Sequence, residues 1–104
     1  MNQHTHEALA LARAKYEKAR SLANAEYEGV DHPAHVKWVI LRDAAQIKYN
    51  EGRGPSREEH EAYVNLLWTA YQEVHAPAYA QYEKALNLAL AEYEDALVAY
   101  RVTV

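Results

Sequence analysis

Six histidines, two serines and a cluster of glutamates are the residues of this 104-residue chain whose types and spacing could do chemistry. His32 and His35 stand three apart, which puts two imidazoles on one helical face, and neutral imidazole is a common zinc or transition-metal ligand. In an up-down arrangement of helices the first and third connections share one end. His75 would then join His32 and His35, with Asp31 close by, while His4, His6 and His60 would approach one another at the other end. Zinc held by His32, His35 and His75 is thus the one cofactor the pattern suggests. The plainer reading makes these histidines caps and solvent-facing helix ends. Neither HExxH nor a paired ExxH occurs, which leaves a di-iron carboxylate bundle without its ligands.

Hydrolytic chemistry has less support. Ser21 falls mid-helix and Ser56 at a helix start, neither in a nucleophile-elbow context. Glu58, Glu59 and Glu61 form an acidic first turn that complements a helix dipole without any general-acid role. The EGRG run at 51–54 lacks the lysine and spacing of a phosphate loop. With no cysteine there are no disulfides, thiolate ligands or cysteine nucleophiles. The expectation is a non-enzymatic protein.

The elements that would position these residues are announced by a period. Tyr27, Tyr49, Tyr71 and Tyr93 recur every 22 residues, as do Pro33, Pro55 and Pro77. The half-period is visible too: positions 16, 27, 38, 49, 60, 71, 82 and 93 read Tyr, Tyr, Trp, Tyr, His, Tyr, Tyr, Tyr. Eleven residues make about three helical turns, so these groups line one stripe on each helix. Small apolar residues three and seven positions further on complete an amphipathic core face. YEKARSLANAEYE (16–28) and YEKALNLALAEYE (82–94) agree at ten of thirteen positions, whereas the middle units share mainly the spacing.

Breaks are expected around Gly29–Pro33, at EGRGPS (51–56) and at His75–Pro77. Ser56 with Glu59 is a capping-box signature. Three turns give a single all-α domain over 1–104, an up-down bundle of four helices of about 20 residues. If His75–Pro77 only bends the chain, residues 56–101 form one helix. The fold is then an elongated, oligomeric helical hairpin with a long kinked C-terminal helix.

Partners follow from charge and side-chain type. The net charge of −4 argues against bulk nucleic-acid binding. Residues 11–54 carry eight Lys/Arg against six Asp/Glu, and 55–98 carry two against eight, so the halves should attract one another. Lys37 and Lys48 flank one side of the Trp38–Tyr49 stripe, Arg42 and Arg53 the other. This basic patch could grip an acidic partner or a membrane surface, or simply pair with the acidic half. Nine Tyr, two Trp and no Phe give every aromatic a polar handle, suited to half-wet interfaces. Tyr63, Tyr79, Tyr82, Leu86, Leu90, Leu97 and Tyr100 are the interface candidates, because apolar residues surround the last helix. The N-terminus has charges inside its apolar stretch, unlike a signal peptide, and no run is long enough to span a membrane. A cytoplasmic accessory protein that self-associates or binds another macromolecule is the expectation.

Proline-punctuated 22-residue units over 11–98 also resemble the tandem amphipathic helices of exchangeable apolipoproteins. That resemblance implies binding to a lipid surface, although here the stripe is Tyr and Ala rather than bulky aliphatic residues and Phe.

Overall fold

The structure is a computed structural model; it describes the backbone of residues 3–52 and 54–103 and the side chains of 6–52 and 54–102. It contains two α-helices, α1 (Gln3–Asn50) and α2 (Arg57–Thr103), joined by a short connection. Of the three expected breaks only EGRGPS is one. The four-helix bundle is corrected to a helical hairpin of two long helices, with Pro33 inside α1 and Pro77 inside α2.

The proline rule rests on local costs: a missing N–H and a clash with the carbonyl four residues back, about 3 kcal/mol in a helix interior. Those carbonyls belong to Gly29 and Glu73, which are exposed, as are both prolines, so water can reach the freed acceptors. Against this local cost stands a stripe that runs through both prolines without interruption. Tyr27, Asp31, Ala34 and Trp38 keep it on α1, and Tyr71, His75, Ala78 and Tyr82 on α2; all are half-buried or buried. Turning at either proline would give up that burial. Continuity wins.

The break that does form has chemistry the other two lack. Gly52 adopts φ +71°, the left-handed conformation that ends helices, and its N–H reaches the Tyr49 carbonyl at 3.1 Å. On the far side the capping box closes reciprocally. Glu59 N–H donates to Ser56 Oγ and Ser56 N–H to Glu59 Oε1, both at 3.2 Å. Glu58 and Glu59 in the first turn of α2, and Lys48 in the last turn of α1, complement the helix dipoles.

Contacts divide the chain into two units: Met1–Tyr27 with Ala80–Val104 (unit 1), and Glu28–Tyr79 (unit 2). Each is an antiparallel pairing of a stretch of α1 with a stretch of α2, and in each the eleven-residue stripe meets itself. In unit 1 Tyr16 stacks on Tyr93 at 5.4 Å and Tyr27 packs against Tyr82 at 5.3 Å. In unit 2 Trp38 stacks on Tyr71 at 5.9 Å and Tyr49 on His60 at 4.4 Å. Every pair lies symmetrically about the Gly54–Pro55 junction. Of the flanking stripes, the one seven positions on supplies the most enclosed small residues, Ala23 and Ala89. The one three positions on stays partly outside, with Val30 at 50% and Val74 at 40% exposure. The buried core of the described residues is thin: Ala23, Tyr71, Ala89 and His60.

Candidate interaction surfaces

Unit 2 holds a polar knot that ties its stretches of α1 and α2 together. The hydroxyl of Tyr71 donates to Asp31 Oδ1 at 2.8 Å, and His75 Nδ1 lies 2.7 Å from the same oxygen. Tyr71 and His75 are one turn apart on α2, so both reach across to α1 at one level. Burial pushes the Asp31 carboxyl up, but the hydrogen bonds from His75 and Tyr71, with the charges of His75 and His35, together hold it below its ordinary value. Either protonation state of the imidazole can supply the Nδ1–H that this distance requires.

Around the knot the rings form a cluster. Trp38 meets Trp68 edge-on at 4.9 Å, His35 meets Tyr71 at 5.6 Å, and Tyr79 stacks on His75 at 5.8 Å. The Arg42 guanidinium sits 4.5 Å from the Trp38 ring centroid, a cation–π contact, and also pairs with Asp43 at 3.2 Å. Trp38 Nε1 and His60 Nδ1 are buried without a hydrogen-bond partner.

The expected histidine groups are redrawn. Asp31 and His75 do meet, and His35 joins them through Tyr71, but His32 is exposed. No group of three His, Cys, Asp or Glu among the described residues is set to hold a metal ion. His6 packs near Tyr100 in unit 1 at 6.0 Å, and His60 stacks on Tyr49 in unit 2. The side chain of His4 lies outside the described residues.

The basic patch is likewise divided. Lys37 and Lys48 are exposed, Arg42 is half-buried on Trp38, and Arg53 lies outside the described residues. Among the described residues Lys15, Lys18, Arg20, Lys37 and Lys48 have no ion-pair partner. The stripe alignment explains this. Rings and alanines occupy the seam, and the charges point away from it.

Among the interface candidates, Tyr63, Tyr79 and Leu90 are exposed at 44%, 43% and 41%. Tyr82, Leu86, Leu97 and Tyr100 are half-buried. Sequence reasoning missed Leu11, Leu22, Leu66 and Trp68, all exposed, as is Leu88 among the apolar residues around the last helix. The period held their signal, since leucines 11, 22, 66 and 88 fall at one shared position of the eleven-residue repeat. No described helix is long and apolar enough to cross a membrane. Comparison with protein-family models, with curated proteins and with solved structures finds no match for the chain.

Proposed function

We propose that this chain is a non-enzymatic helical module whose function is to bind another protein, as an adaptor, inhibitor or assembly component, with self-association among its modes. The observation that carries this reading is uncovered apolar surface. Among the described residues the buried side chains are Ala23, Tyr71, Ala89 and His60, while aliphatic side chains along both helices stay in water. Leu22, Leu66, Leu88 and Val98 are each more than half exposed. The ring types fit as well, because tyrosine and tryptophan are enriched where proteins meet.

The test is thermal unfolding followed by circular dichroism across a wide range of protein concentration. A module that completes its core on a partner melts at a temperature that rises with concentration when that partner is itself, or with added partner otherwise. A sharp, cooperative transition at high dilution, indifferent to concentration and without binding of an apolar dye, would sink the reading.

A further inference from the structure

Each unit carries a groove. In unit 1 it is lined by Ala12, Lys15, Tyr16 and Ala19 of α1 and by Ala89, Glu92, Tyr93 and Ala96 of α2. In unit 2 its lining includes Leu41, Ala45 and Lys48 of α1 and Glu59, His60 and Tyr63 of α2. In unit 1 the floor is a ring pair flanked by alanines, and in both units the margins carry a lysine on α1 and a glutamate on α2. Lys15 immediately precedes Tyr16 and Glu92 immediately precedes Tyr93; on antiparallel stretches these steps run in opposite directions, so the two charges flank the stacked rings about 3 Å apart along the helices. Yet among the described residues Lys15 and Glu92 make no ion pair with each other or with a third residue.

Apolar side chains border the unit 1 groove. Leu11 lies one turn before Lys15, Leu22 one turn after Ala19 and Leu88 one turn before Glu92, at 71%, 59% and 62% exposure. The groove therefore offers small residues for close helix approach, leucines at its edges, and two opposite charges without partners.

We infer that the occupant of this groove is a second copy of the chain, docked so that α1 of each copy lies over α2 of the other. This rests on the protein-binding reading above and names its partner. Homodimers most often form around a two-fold axis that makes the same patch meet itself. A two-fold running along the helices keeps every residue at its own level and exchanges α1 for α2. Lys15 of one copy then lies opposite Glu92 of the other, offset by about 3 Å along the helices, twice per dimer. A two-fold running across the helices would instead set α1 on α1, lysine-bearing margin on lysine-bearing margin, which like charges oppose. The margins decide for a copy of this chain over an unrelated peptide, because the groove carries its own complement, a lysine on one side and a glutamate on the other.

The experiment is sedimentation equilibrium of the full chain and of charge-reversed variants, with helicity as a control. Lys15→Glu and Glu92→Lys each weaken the dimer by about tenfold, and Lys15→Glu/Glu92→Lys together return it to within a few-fold of the original. Since the chain has no cysteine, a mixture of the single variants Lys15→Cys and Glu92→Cys adds geometry. Oxidation links the two variants to each other, while Lys15→Cys alone gives little linked dimer. A chain that self-associates but ignores charge reversal, or that links Lys15→Cys to itself, overturns this arrangement and leaves the protein-binding reading standing. A chain that stays monomeric at every concentration removes self-association altogether.

Discussion

At the scale of single residues, Asp31 is the position where packing and electrostatics meet. Its carboxylate accepts from both Tyr71 and His75, and its side chain is 18% exposed. Asp31→Ala strands two half-enclosed donors and should cost about 1–3 kcal/mol, read from the urea midpoint. The pH dependence has a definite sign. A carboxyl held below its ordinary 3.8 in the folded chain contributes stability that is fully present above that value and lost as pH falls through the lowered one. Wild type should therefore lose stability relative to Asp31→Asn on acidification below about pH 4; parallel curves for the two proteins down to that range would contradict the assignment. The sequence pointed to this place for a different reason. It brought Asp31 and His75 together through a four-helix topology, whereas the hairpin does so by antiparallel register. His32 had the favourable spacing to His35, but spacing on one helix says nothing about which face the other helix covers.

At the scale of the element, the prolines teach most. Sequence reading placed the stripe, the capping box of Ser56 and Glu59 and the glycine-rich turn where the structure has them, because each is specified by residues within one or two turns. It placed helix ends at Pro33 and Pro77 by an equally local rule, and there the rule lost to packing spread along the whole stripe. The difference is visible at the caps: Gly52 stops α1 with a left-handed φ, while no residue near Pro33 or Pro77 has one. This gives a clean discrimination. In a turn, Pro→Ala is neutral or harmful; in a helix interior it restores an amide donor and removes a clash. Pro33→Ala and Pro77→Ala should each stabilise the protein by about 1–3 kcal/mol, seen as a higher melting temperature with unchanged helicity. A lower melting temperature for both would favour turns at those sites. Neither exposed leucines nor unpaired charges could be read with the same ease, since burial depends on which of several apolar stripes the second helix chooses.

At the scale of the whole molecule, the chain is short of internal cover and rich in unspent complementarity, which is why its proposed partner resembles itself. The mirror pairing of rings about the Gly54–Pro55 junction carries one more implication, for how such a chain can change in length. A single inserted residue swings everything on one side of it by about 100° around the helix, turning rings outward. Eleven inserted residues return each ring to a ring. One alanine added after Asn24 should therefore abolish the cooperative melt, whereas repeating residues 14–24 in tandem should preserve it; equal damage from both would mean that the stripe does not set the register. Growth by duplication and loss by deletion are thus tolerated only in steps of eleven. The segments 16–28 and 82–94, which agree at ten of thirteen positions, stand a whole number of such steps apart.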